Sequence, residues 1–226
     1  MAITLPPSRI LGDSGHVTDH ATIRTALSDL DTGLAAKAPS ANPTFTGTVA
    51  LPTTTTLNGV TLSASGLTYI TSATASAAAT LSVNNCFTST YDTYLVMWDG
   101  LGSADAYMSM RLRASASDNT AANYNSQILT YQGTTVGTAR LTGQTTWTSM
   151  AGNTTANTSA FIATLFRPAL AVPTSVKSST TYNTSGGWGA DSILAHTAST
   201  AFDGFTLYPA SGTITGIVRV YGYKNS

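Results

Sequence analysis

Glutamate is absent from this chain: all ten of its acidic residues are aspartates. Lys and Arg add only ten more charges, so 9% of the 226 residues are charged, against about a quarter in an ordinary soluble domain. Thr, Ser, Asn, Gly and Ala fill the vacated positions. Glu is a strong helix former, whereas Thr and Tyr suit a pleated, half-buried surface. The pattern therefore predicts a mainly β fold. A hydrophobic content of 42% and recurrent aromatics beyond Leu67 separate the chain from disordered polar sequences. A formal net charge of zero offers no electrostatic footprint for nucleic acid or anionic lipid. No apolar run approaches the roughly 20 residues of a membrane span. The segment MAITLPPSRILGDSG lacks the apolar core of a secretory signal, so synthesis in a cytoplasm is expected. Cys86, the lone cysteine, follows Leu81 and Val83 and is expected to be a small buried hydrophobe.

Three zones follow one another. Residues 1–38 contain the only strong helical pattern: Ile23, Leu27, Leu30 and Leu34 at heptad spacing, after possible caps at Thr18 and Asp19 and before Pro39. Two heptads are marginal as an isolated helix. The narrow apolar seam needs either a globular neighbour or identical copies of itself, and a short homotrimeric coiled coil is expected. Residues 39–65 are rich in Thr and interrupted by Pro39, Pro43 and Pro52, which predicts an extended connector with no core of its own. From residue 66 to 226, short alternating runs separated by turn residues predict an antiparallel β-sandwich head, jelly-roll-like in character.

The expected strands are Gly66–Thr71, Thr80–Asn84, Tyr94–Trp98, Tyr107–Arg113, Ser126–Tyr131, Thr138–Thr142, Ala160–Phe166, Ser192–His196, Phe202–Leu207 and Thr213–Tyr223. Alternation is clearest in Tyr107–Arg113, where Met108, Met110 and Leu112 share a face. In the last strand Ile214, Val218 and Val220 lie on one face and Ile217, Arg219, Tyr221 and Tyr223 on the other, which suits a central position or a contact between copies. Asp203-Gly204, between Phe202 and Phe205, predicts a hairpin turn.

Particular residues carry a family resemblance. Ala38-Pro39, Asn42-Pro43-Thr44-Phe45-Thr46-Gly47-Thr48-Val49 and Leu51-Pro52 resemble a segment that recurs in the tail fibres of bacteriophages. In that family the segment is a trimeric shaft connector just before a receptor-binding head. The run GDSGHVTDHATI, which opens at Gly12, resembles N-terminal attachment segments of minor tail proteins from phages of actinobacteria. The ending SGTITGIVRVYGYKNS, preceded by Phe202–Pro209, resembles the closing strand of phage head and tail accessory domains. The resemblance implies a virion protein that docks to other tail or capsid proteins through its N-terminus and touches a host glycan or wall polymer.

The chemical motifs point away from catalysis. Gly12-Asp13-Ser14-Gly15 matches a serine-protease nucleophile motif, but no His or Asp precedes it as that chain order requires. Against the Gly-Asp-Ser esterases, Gly15 stands where Leu is usual, and Asp191 and His196 have the wrong spacing. A turn built from Asp, Ser and Gly explains the tetrapeptide. His16 and His20, four apart, could hold a metal or simply begin a solvated helix; no metal and no cofactor is expected. A glycan hydrolase needs two carboxyl groups flanking one bond. The head offers Asp92, Asp99, Asp105, Asp118, Asp191 and Asp203, mostly beside turn residues. Aromatics in polar surroundings are more telling: Trp188 in the Gly- and Ser-rich stretch from Tyr182 to Asp191, and Trp147 among threonines. A flat ring with neighbouring hydrogen-bonding groups suits a sugar. Trp188, Tyr182, Asp191 and Trp147 are therefore the expected receptor-contacting residues, on loops. The resulting expectation is a non-enzymatic homotrimeric tail fibre located in the virion, with a capsid-associated head fibre or decoration protein as the alternative and a glycan hydrolase as a third reading.

Overall fold

Met108, Met110 and Leu112 are fully enclosed, while Tyr107, just ahead of them in sequence, is exposed. This period-2 segregation, repeated strand after strand, builds the molecule. The computed structural model describes residues 22–29, 56–57, 60–61, 66–153, 155, 158–182 and 187–223. The chain divides into two units, Met1–Leu62 and Ser63–Ser226.

In the first unit, helix α1 covers residues 22–29. Ile23 and Leu27 project from it with 39% and 60% of their surfaces exposed. Leu30 and Leu34, the other two residues of the expected seam, lie outside the described residues, as do His16 and His20. Strands β1 (Thr56–Leu57) and β2 (Val60–Thr61) pair antiparallel.

The second unit is mainly antiparallel β. Its strands are β3 (Leu67–Ala78), β4 (Leu81–Val83), β5 (Thr93–Gly102), β6 (Ala106–Ala114), β7 (Ser117–Asp118), β8 (Tyr124–Gln132), β9 (Thr135–Gln144), β10 (Trp147–Asn153), β11 (Ser159–Phe166), β12 (Thr174–Tyr182), β13 (Trp188–His196), β14 (Gly204–Pro209) and β15 (Ile214–Tyr223). An eight-stranded sheet runs β3-β15-β5-β11-β12-β13-β8-β9. A five-stranded sheet runs β10-β6-β14-β4, with β7 on β6. Buried side chains from both sheets join in one core, including Trp98, Phe161 and Val218 from the large sheet and Met110, Phe205 and Leu207 from the small one. The result is a two-sheet sandwich.

β15 is an internal strand between β3 and β5, which explains why both of its faces are apolar. Gly100 and Gly216 sit directly opposite each other on β5 and β15. A Cβ on either would run into the indole of Trp98, so the two glycines form the seat for that ring.

The expected hairpin at Asp203-Gly204 is not a hairpin. Gly204 is already the first residue of β14, which lies between β6 and β4. Asp203 instead ties the incoming chain down. Its N–H donates to the Arg113 carbonyl (2.9 Å), and its carbonyl accepts from Cys86 and Phe87 N–H at 2.8 and 3.1 Å. The turn that does need help joins β6 to β7, where Ser115 and Ala116 both have positive φ, at 50° and 60°. The Arg113 guanidinium reaches both the Asp118 carboxylate and the Ala116 carbonyl. Ser115 N–H donates to the Asp203 carboxylate at 2.8 Å. Charge-assisted bonds thus hold a left-handed pair that lacks glycine.

Candidate functional site

Trp147, expected on a loop, opens β10 and is entirely enclosed. Its ring meets Tyr124 edge-on, with centroids 5.1 Å apart, and its Nε1–H donates to the Ala195 carbonyl at 3.2 Å. It is a core residue and cannot contact a receptor.

Trp188 and Asp191 are not loop residues either: both lie on β13. Tyr182 closes β12, and its backbone pairs with Trp188; its side chain lies outside the described residues. Trp188 shares its face with Ala190, Ser192, Leu194 and His196, all buried beneath the small sheet. Asp191, three residues on, belongs to the opposite, outward face. The expected cluster of Trp188, Asp191 and Trp147 is therefore divided between two faces and the core.

A different set of side chains gathers on the outer face, around Asp191. Register brings Ser179 of β12, Asp191 of β13, Leu129 of β8 and Thr138 of β9 into one row. The adjoining row holds Lys177, Ile193, Gln127 and Arg140. On the other side Gly189 stands between Thr181 and Tyr131. The Tyr131 ring lies beside Gly189, where an added Cβ would still be at ordinary contact distance from the ring, 3.7 Å, and would crowd only the Thr180 carbonyl, at 3.1 Å. Tyr131 Oη–H then donates to Asp191 Oδ2 at 2.8 Å.

Tyr131 and Ser179 both hydrogen-bond the Asp191 carboxyl and, with Lys177 nearby, hold it below the usual carboxylate range. Reciprocally, the same hydrogen bond raises the Tyr131 phenol. Asp191 is thus a fixed anion at neutral pH. Beside it Ile193 exposes 70% of its surface, between Lys177 and Gln127. Tyr131, Asp191, Lys177, Gln127 and Ile193 line an open depression of about 370 Å³. A second, smaller recess of about 240 Å³ continues past Gln127, Arg140 and Ile193.

Asp99 is the other acid on this side of the sheet, but it stands on β5, three strands from β13. At about 4.8 Å per strand that is on the order of 14 Å, beyond the roughly 5–9.5 Å at which paired carboxyls serve one glycosidic bond. Among the described residues no group of three His, Cys, Asp or Glu side chains could hold a metal. No helix there is long and apolar enough to cross a membrane.

Sequence reasoning named Asp191 but missed Tyr131, Ser179, Lys177, Gln127 and Ile193. The spacing of Gln127, Leu129 and Tyr131 in an expected strand was a usable signal for one shared face. Comparison with protein families, with curated proteins and with solved structures returned no match.

Proposed function

We propose that the chain is a structural virion protein of a tailed bacteriophage: a short homotrimeric tail fibre whose jelly-roll-like head touches the host surface. The observation that carries this reading is order along the chain. The connector-like segment from Ala38 to Pro52 stands just before a separate β unit that begins at Ser63. Two further features support it. Ile23 and Leu27 leave apolar surface on α1 uncovered, as a helix that pairs with copies of itself requires. Among the described residues the head presents an open depression whose lining carries one carboxylate, Asp191, and not a pair, which suits adhesion better than hydrolysis. In this reading the N-terminal segment docks to other tail or capsid proteins and the head meets a glycan or wall polymer.

Light scattering on the purified full chain tests the assembly: a trimer mass is expected at micromolar concentration, and a monomer mass overturns the reading. A low-resolution map of the intact particle then places the protein. Density on the tail supports the fibre; density on the shell shows a capsid decoration protein of the same build.

A further inference from the structure

We infer that the outer-face depression around Asp191 and Ile193 is a binding subsite for a neutral sugar ring. This deepens the proposed function and rests on it for the biological source of the sugar, though the chemistry stands on the site itself. Neither Trp188 nor Trp147 takes part.

A sugar ring makes two demands. Its vicinal hydroxyls need fixed acceptors and donors side by side, and its C–H face needs an apolar plate. Asp191 supplies the acceptor. Tyr131 and Ser179 hold the carboxylate from the strands on either side, so its geometry is set before a ligand arrives, and the ordering cost is already met. Two donors into one carboxylate leave further lone pairs free for hydroxyl protons. Lys177, cross-strand from Ile193, supplies donors on the adjoining row. Gln127 is held by its own bond: Nε2–H donates to the Ala139 carbonyl at 3.3 Å, which leaves the amide oxygen as an acceptor. Ile193 is the plate. It is the most exposed of the described large hydrophobics, at 70%, and it stands in the middle of these polar groups rather than at an edge.

The charges select the ligand class. One fixed carboxylate and one ammonium line the depression and the Arg140 guanidinium stands beyond Gln127, so a charged ligand of either sign meets a like charge in or beside the site. An acidic sugar would bring its carboxylate against Asp191. A purely apolar ligand would strip water from the remaining acceptor sites of Asp191 and Gln127 and from the Lys177 ammonium, and would replace none of those bonds. A neutral, hydroxyl-rich ring with one C–H face satisfies all of them. The open shape predicts weak single-site binding, in the millimolar range, which three linked copies would strengthen through avidity.

Saturation-transfer NMR on the full-length protein tests the inference. The probes are methyl glycosides of glucose, galactose, mannose and N-acetylglucosamine, with methyl glucuronoside as the anionic comparison. Each is used at about 50 mM, where a millimolar site is well occupied. At least one neutral glycoside should receive saturation, strongest at its C–H protons. Asp191→Asn and Ile193→Asp should each weaken that signal at least tenfold, and Tyr131→Phe should weaken it less. Trp188→Ala should leave it unchanged. The inference is overturned if the whole panel is silent, if the glucuronoside binds better than the neutral sugars, or if Trp188→Ala abolishes the signal while Asp191→Asn does not. The fibre reading fails separately, on a monomer mass in light scattering, whatever the sugars do.

Discussion

Strands β15, β5 and β11 turn Val218, Val220, Tyr94, Trp98, Phe161 and Leu165 towards the small sheet. Strands β12, β13 and β8 turn Thr174, Ser178, Thr180, Ser192, His196 and Ser126 towards it, relieved mainly by Val176, Leu194, Ile128 and Tyr124. The same sheet thus has an oily half and a hydroxylated half. The oily half gains on the order of 25 cal/mol for each Å² of apolar surface it hides. The hydroxylated half gains little this way, and Ser126, Thr174 and Ser178 place hydroxyls where no partner is found among the described residues. What covers that half is β10, which lies over β11, β12, β13 and β8. Its Trp147 and Met150 are fully buried. The hydroxylated half therefore depends on one edge strand, and its own outer face carries the candidate site.

The largest effect should come from removing that cover. Trp147→Ala deletes a fully buried indole and its hydrogen bond to the Ala195 carbonyl, at a cost of about 3–5 kcal/mol. Denaturant unfolding, with hydrogen exchange of β12 and β13, measures it. Exchange should rise first in those two strands and only later in β5 and β15. A uniform rise across both halves would show that the sheet opens as one unit and that the contrast has no energetic meaning.

Next in size is the response to acid. His196 is buried between Tyr124 and Phe202, with ring centroids 4.7 and 4.8 Å away. Burial lowers its pKa below 6.5, opposed by a hydrogen bond with the Ala198 backbone. The unfolded chain therefore takes up a proton as pH falls below about 6.5, while the folded chain resists until a lower pH. Stability is fully present above that value and declines as pH drops towards the folded pKa. Melting followed from pH 7 to pH 5 should show the decline, and His196→Phe should remove most of it. An unchanged pH profile in that variant would place the acid sensitivity elsewhere.

How well the two halves could be read from sequence follows the same division. Strands with apolar alternation are legible at least in part, as the expected Tyr94–Trp98 within β5 and Thr213–Tyr223 over β15 show, because the core itself writes period 2 into the chain. β12, the stretch TSVKSSTTY, was missed: its inward positions are Thr174, Val176, Ser178 and Thr180, so only one apolar residue marks the face. β10 was missed for another reason. Its register shifts between Trp147 and Ala151, and this irregularity lets Trp147 and Met150, three apart, both point inward. No period-2 search finds that. The site was less legible still. Asp191 was noticed as part of a Gly-rich stretch, yet its partner Tyr131 is 60 residues away in sequence and reaches it only through the pairing of β8 with β13. Nothing in local spacing encodes such a meeting.

Single substitutions at matched inward positions sharpen the contrast. Val218→Ala in the oily half should cost about 2 kcal/mol, through lost burial and a small cavity. Ser178→Ala should be neutral or stabilising by up to about 1 kcal/mol, since it removes a hydroxyl that gains nothing from burial. A loss above about 1 kcal/mol at Ser178 would mean that its hydroxyl is bonded after all. Cys86 offers a reporter for the oily half. Burial pushes its thiol up to about 12, so a thiol reagent at pH 8 should modify it only as fast as that half opens, and Val218→Ala should speed the reaction while Ser178→Ala should not.

The smallest effect is expected on the outer face, and its smallness is informative. Asp191→Asn keeps an oxygen for the Tyr131 hydroxyl to donate to and removes only a charge exposed to water. Surface changes of this kind stay within about 0.5 kcal/mol, which for a chain of this size moves the melting temperature by no more than about 2 °C. The sign of any pH dependence is also set. The carboxyl is held below its ordinary value of 3.8, so the stability it contributes is present above that pH and is lost only as the pH falls through its lower folded value. Wild type and Asp191→Asn should accordingly melt together at pH 7 and at pH 5, across the whole range in which His196 acts, and part only in stronger acid. Thermal melting of the two proteins at those pH values measures this. A variant that melts several degrees lower at pH 7 would make the Tyr131, Asp191 and Ser179 bonds a clasp that binds β12, β13 and β8 together. A carboxylate needed to hold strands together is not one kept free for a ligand, and the case for a sugar subsite would lose its central residue.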